Sequence, residues 1–200
     1  LNKNIGDFAD SINIADNTYT KIDDLRYGTN PHQPAAYYKI EGKSSPIGDM
    51  EMLKNGKSGL SQTNLEDLSY SLNIVKFFNE PTCAVMKHVN PCGVATAANA
   101  AEAFSKAWDC DPRAAFGSTL AFNVEITEEV AKAIMGYFVE CVVAPSVSAG
   151  ALAIFNDFET FKRNKHIRIL KCGNLQELPR FVGETSTYHR TIKTLADGSL

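Results

Sequence analysis

Between residues 60 and 170, short apolar runs alternate with segments whose apolar residues recur at helical spacing, and a sheet covered by helices buries both patterns at once. Leu65, Leu68, Leu72, Val75 and Phe78 keep that spacing until Pro81 stops the helix, and Thr63 with Glu66 has the arrangement of a capping box. Residues 82–86, TCAVM, suit a strand buried on both faces, which delivers Lys87 and His88 into a turn at NPCG. A second helix starts near Asn99, with Glu102 as box partner, and buries Phe104 and Trp108. Residues 118–122 predict the next strand, Thr127 caps a helix carrying Val130, Ile134 and Phe138, and VECVVAP is a further buried strand. A short helix over 152–161 and a strand at HIRIL, where Ile167 and Ile169 alternate with Arg168, complete the series. The predicted class is layered α/β with a largely parallel or mixed sheet. In such sheets chemistry collects beyond the carboxyl ends of strands, and KHVNPCG occupies a place of that kind.

The flanks are less regular. Residues 1–24 carry Asp7, Asp10, Asp16, Asp23 and Asp24 with weak periodicity and read as a linker or arm. In LRYGTNPHQPAAYYKI the prolines and glycine require a shaped loop before a strand at 35–40, and a turn region follows through Gly59. At 200 residues the chain fits one domain or two small ones, and 44% hydrophobic with 22% charged residues is the composition of a folding chain. Twenty basic against 23 acidic residues leave a net charge of −3, so no overall positive field draws the protein to nucleic acid or an anionic membrane. An anionic ligand has to be met by a local site. Five cysteines without a CxxC pair argue against a disulfide framework or zinc knuckle, and with no apolar signal core the expected location is cytoplasmic, with reduced thiols. Leu1 is not a natural initiator and DGSL ends without a cap, so a longer parent chain is expected.

Lys87 and His88 are the first candidates for chemistry. Near neutral pH an imidazole takes and returns a proton, and a neighbouring ammonium favours the neutral ring that a base requires. The plain alternative is a surface lysine beside a histidine bonded to backbone carbonyls, and spacing leaves both open. His88, Pro91 and Cys92 invite comparison with the zinc deaminases, whose signature is H-x-E with a later P-C-x-x-C. Asn90 replaces the glutamate and Ala95 stands where the second cysteine belongs, so both the general acid and the ligands are lacking. Cys92 is an alternative nucleophile, although a small buried thiol is the commoner role. Arg26 beside Tyr27 offers a planar fork and a ring for a phosphate or heterocycle, with His32 and Gln33 shaping the same loop. Glu140 lies inside an apolar run, where a carboxylate is costly unless paired or ligand-bound; it sits at a pocket or on an exposed face. Gly117 is a turn glycine or a point where backbone meets ligand.

LRYGTNPHQPAAYY, the helix followed by KHVNPCG, DPRAAFGSTLAFN and FVECVVAP occur in one order and spacing. That pattern resembles the transformylase domain of the AICAR transformylase/IMP cyclohydrolase family, over residues 25–145 and again near HIRIL. The resemblance implies a cytidine-deaminase-like layered α/β/α fold with a mixed sheet and no zinc site, residues 25–200 being the first part of the domain. It implies formyl transfer from 10-formyltetrahydrofolate, the cosubstrate, to the 5-amino group of the nucleotide AICAR in purine synthesis, with no metal required. By resemblance His88 accepts the proton, Lys87 stabilises the transition state, and Arg26, Tyr27, Gly117 and Glu140 bind the AICAR nucleotide. The family works as a homodimer, its domain's second half supplies further contacts, and the full protein carries a cyclohydrolase. SVSAGALAIFNDFETFKRNK is longer than the usual family connection, and RTIKTLADGSL resembles the approach to a family strand. The competing expectation is a noncatalytic nucleotide-binding or dimerisation module of the same fold.

Overall fold

A computed structural model describes residues 8–14, 16–181 and 195. Its centre is a six-stranded sheet built from β4 (Glu51–Lys54), β5 (Thr82–Lys87), β6 (Asn90–Thr96), β7 (Ser118–Phe122), β8 (Val139–Ala144) and β9 (Arg168–Lys171), in the order β4-β9-β8-β7-β5-β6. β7, β8 and β9 are parallel, whereas β5 runs antiparallel to β7 and to β6, and β4 antiparallel to β9. The sheet is therefore mixed. Helix α1 (Gln62–Val75) packs Leu68, Leu72 and Val75 on Ala84, Ala121, Val143 and Leu170. Helices α2 (Ala100–Asp109), α3 (Glu128–Met135) and α4 (Ala149–Asn156) bury Phe104, Ile134 and Phe155 with Val85, Leu120, Val142 and Ile169. Alternate residues of β5 thus feed two separate cores, which is why residues 83–86 are all apolar. Each fully buried leucine or phenylalanine contributes about 1.5–3 kcal/mol. Among the described residues no helix is long and apolar enough to cross a membrane.

Several boundaries differ from expectation. The α1 cap is Ser61 with Asn64 instead of Thr63 with Glu66: Ser61 Oγ accepts from Asn64 N at 3.2 Å, and Asn64 Oδ1 from Ser61 N at 3.1 Å. Asn64 supplies the reciprocal acceptor that a glutamate was expected to provide, while Glu66 instead accepts from Gln62 Nε2 at 3.1 Å. α1 ends at Val75 and α3 at Met135, so neither Phe78 nor Phe138 lies on a helix. Asn99 caps α2 as predicted, but Glu102 pairs with Lys106 at 2.8 Å, one turn on, in place of closing a box. α4 begins earlier than predicted, because Ser148 accepts from Ala151 N. β4 lies inside the segment read as turns. Ile167, Arg168 and Ile169 are all buried; the Arg168 guanidinium is satisfied by the carbonyls of Gly59 and Lys57, which a simple alternation did not foresee.

The stretch read as a linker or arm contains β1 (Ser11–Ile14) and β2 (Asn17–Leu25), which pair with β3 (Ala35–Ile40) in a three-stranded antiparallel sheet. The expected boundary between residues 24 and 25 therefore falls inside β2. A register shift between Lys21 and Asp23 leaves Ile22 as the extra residue, 42% exposed, and this bulge breaks the alternation that marks a strand. RTIKTLADGSL, apart from Leu195, lies outside the described residues.

Gly93 sets how closely β6 approaches α2. A Cβ there would stand 2.0 Å from the Ala107 carbonyl oxygen and 2.7 Å from Cys110 Cβ. Gly93→Ala is expected to lift β6 from the helix and lower stability by about 1–3 kcal/mol in urea unfolding. An unchanged midpoint would show that the strand yields freely.

Candidate functional site

The turn between β5 and β6 consists of His88 and Val89, both left-handed, with φ of 52° and 64°. The predicted NPCG turn is instead the opening of β6, because Lys87 already pairs with Asn90. Pro91 is tolerated there since β6 is an edge strand, and a register shift leaves Cys92 as the extra residue. Left-handed backbone costs roughly 1–2 kcal/mol for an ordinary residue, and although histidine is found there more often than most, a β-branched valine is a true outlier. Asp67 on α1 offsets that cost. Its Oδ1 accepts from Val89 N at 2.6 Å and its Oδ2 from His88 N at 3.3 Å, while Asn90 Nδ2 donates to His88 O at 2.8 Å. Bonds to a charged acceptor contribute about 1.5–3 kcal/mol each, enough to hold the turn. Asp67 is 5% exposed. Burial raises its carboxyl above the ordinary range, against the opposing pull of the Val89 and His88 amides and of the charges on His88 and Lys87. The His88 side chain itself is exposed.

Because β5 runs against β7, its exit meets the amino ends of the parallel strands, not the carboxyl ends where the chemistry was expected. Lys87 Nζ donates to the Gly117 carbonyl at 2.6 Å and stands 4.0 Å from Glu140 Oε1. That separation is too long for a hydrogen bond, and a partly exposed pair contributes about 0.2–1 kcal/mol, so the carbonyl is the main anchor. An ammonium has three donors, leaving Lys87 with capacity for a ligand. Ser118 faces Val139 and Thr119 faces Cys141, so Glu140 is the extra residue of a bulge. The break in register puts two successive residues, Glu140 and Cys141, towards the α1 side, and Glu140 meets Asn64 there. Asn64 Nδ2 approaches Glu140 Oε2 at 3.4 Å. Gly117, with φ of 70°, donates its N–H to Phe138 O at 2.8 Å, and a Cβ on it would stand 3.2 Å from Lys87 Nζ. The rings of Phe116 and Phe138 lie beside it, tilted at 39° with centroids 4.9 Å apart, and Phe116 is 61% exposed.

The Arg26–Tyr27 loop is tied to the start of α1 by Arg26 N to Leu60 O at 2.8 Å and Gln62 N to Tyr27 O at 2.9 Å. Arg26 Nη2 donates to the Tyr27 hydroxyl at 2.7 Å. Gln33 has a shaping role, its Oε1 accepting from Asn30 N at 2.8 Å, and His32 is exposed. Lys87 is thus bonded to Gly117 and lies 4.0 Å from Glu140, His88 follows it in the turn, and Arg26 and Tyr27 are tied by their backbone to the start of α1, their side chains bonded to each other. Asn64 and Asp67 were missed. Their signal is a pair of polar residues three apart, on the stripe that continues through Leu68, Ser71 and Leu72. Cys92 is unsuited to nucleophilic attack, since burial, then Asp111 and Asp67, raise its thiol above the ordinary range. A cavity of about 570 Å³ lined by Lys76, Phe77 and Arg180 lies at the far end of α1. Lys76 is about 18 Å along the helix from Asn64, which makes that cavity a separate feature.

A family model described as AICARFT/IMPCHase bienzyme matches residues 3–199. The bifunctional purine biosynthesis protein PurH of Acetivibrio thermocellus is 42% identical over 160 residues, which cover 79% of this chain and 29% of that protein. PurH of Ruminiclostridium cellulolyticum is 39% identical over 171 residues, 86% of this chain and 31% of its own length. The chain thus spans about a third of the curated relatives it matches.

Gly117→Ala forces a side chain to hold a positive φ against the lysine, and its unfolding free energy is expected to fall by roughly 1–2 kcal/mol, read from urea titration. In alkylation at pH 8 followed by peptide mass spectrometry, exposed Cys110 is expected to react first. Cys83 and Cys141 are expected to resist, the Cys141 thiol being pushed up to about 12 by burial. Preferential labelling of Cys92 would contradict this order.

Proposed function

The chain belongs to the AICARFT/IMPCHase bienzyme family, and on that premise we propose that it carries the proton-transfer end of a formyltransferase acting on AICAR and 10-formyltetrahydrofolate. The observation that supports this best is the Lys87 ammonium, anchored by the Gly117 carbonyl and facing Glu140, immediately before an exposed imidazole in a fixed turn. In this reading the chain forms the first part of the transformylase domain, with β1 and β2 belonging to it. Its sheet, with α1 on one face and α2, α3 and α4 on the other, is the cytidine-deaminase-like layer. The protein is cytoplasmic and works as a homodimer.

The acceptor amine of AICAR is a poor nucleophile, because its lone pair is delocalised into the imidazole and carboxamide. His88 takes the amine proton as nitrogen attacks the formyl carbon, and Lys87 stabilises the negative charge that develops on the formyl oxygen. The bond from that carbon to the folate nitrogen then breaks, and the proton held by His88 passes to the departing nitrogen. Proton transfer and charge stabilisation suffice, so the reading invokes no metal. Arg26 and Tyr27 grip the phosphorylated ribosyl imidazole, Glu140 accepts from its polar N–H groups with Asn64 orienting the carboxylate, and the Gly117 backbone lies against it. The exposed Phe116 ring offers a flat face for an aromatic part of the folate.

In the intact protein, His88→Ala is expected to lower formyl transfer roughly 10²- to 10⁴-fold with AICAR binding retained by calorimetry. Lys87→Met is expected to lose about 10²- to 10³-fold. A wild-type protein that binds AICAR but transfers no formyl group would establish a noncatalytic binding module instead.

A further inference from the structure

The two-residue connection between paired Lys87 and Asn90 calls for positive φ at both His88 and Val89, and the turn is braced from α1. Glycine or asparagine would adopt left-handed backbone with little help, whereas this chain places a β-branched valine at φ 64°. The compensation comes from α1. Asp67 is a buried carboxylate whose hydrogen bonds among the described residues are the amides of His88 and Val89, and it takes part in no ion pair there. The charges of His88 and Lys87 favour its ionised form without a direct ion pair, so its direct contacts are the two turn amides. One turn earlier on the same helix, Asn64 approaches Glu140, the carboxylate that faces Lys87. A single rigid helix therefore sets the imidazole-bearing turn with one residue and the lysine's counter-charge with another.

We propose that Asp67 is a positioning residue: its carboxylate locks the backbone of His88 and Val89 so that the imidazole is held in register with the Lys87 ammonium during proton transfer. The proposal rests on the formyl-transfer reading, in which His88 is the base. Asp67 touches no reacting atom; it acts through the turn. A small displacement of a proton acceptor costs rate far more than it costs substrate affinity, so its removal has a kinetic signature distinct from lost packing.

The test uses Asp67→Asn in the intact protein, a change that keeps size and one acceptor for Val89 N–H but sets an amide donor against His88 N–H. The expected result is a loss in kcat of roughly 10²-fold with the KM for AICAR held within about twofold. Amide hydrogen exchange at residues 88 and 89 is expected to accelerate while exchange in β5 and β7 stays slow. In the double variant Asp67→Asn with Val89→Gly, the glycine relieves the backbone cost and part of kcat is expected to return. Wild-type kcat in Asp67→Asn, or a kcat loss matched by an equal rise in KM and a general rise in exchange, overturns the proposal. The exchange measurement needs no substrate, which separates the two claims. Should His88→Ala keep full formyl transfer, the parent reading falls with the catalytic part of this one, and exchange at 88 and 89 decides whether Asp67 holds the turn.

Discussion

A buried carboxylate accepting the amides of two consecutive left-handed residues is the contact on which the rest of this site depends. Asp67 sits on α1, and the turn it holds joins β5 to β6, so the bonds link a helix to a hairpin more than twenty residues away in sequence. The two-residue hairpin already calls for positive φ at His88 and Val89, and the Asp67 acceptors offset what that conformation costs a β-branched valine. α1 is itself fixed by Leu68, Leu72 and Val75 against the sheet, so the position of the turn follows from apolar packing one layer below.

Breaks in strand register do the remaining placement. Glu140 is the extra residue where β8 meets β7, Cys92 the extra residue where β6 meets β5, and Ile22 the extra residue in β2. A regular strand offers each side chain only two directions, both here occupied by cores. A bulge breaks that alternation, and here it leaves Glu140 beside Asn64 and 4.0 Å from Lys87. The reversal of β5 has an equally direct consequence. It sets Lys87 at the entries of β7 and β8, within reach of the Gly117 carbonyl, in a place that a purely parallel sheet would not provide.

The readable parts of the fold are those with strong local periodicity. β5, β7 and β8 are buried, mostly apolar runs, and α2 carries Phe104 and Trp108 on one face behind an asparagine cap. β1 and β2 escaped notice because solvent-facing aspartates and a bulge erase alternation, and the α1 cap was misplaced because asparagine substituted for the glutamate of the usual box. In the site, Lys87, His88, Gly117 and Glu140 stood out as reactive or permissive residue types in unusual company. Asn64 and Asp67 did not, since an Asn and an Asp near a helix start read as ordinary solvated residues until the helix is docked.

Hydrophobic period is a property of neighbouring residues, so the chain by itself determined the alternation of helix and strand, the layered α/β class, and the residues able to carry charge or a proton. Strand direction, register breaks and the hydrogen bonds that α1 makes to distant loops depend on which elements pair across the sheet. Tertiary structure alone decided that β5 runs backward, that Glu140 leaves its strand to face Lys87, and that Asp67 holds the turn bearing His88. The physical reason is the same in each case: a buried polar group must find partners, and those partners come from parts of the chain that no local pattern connects.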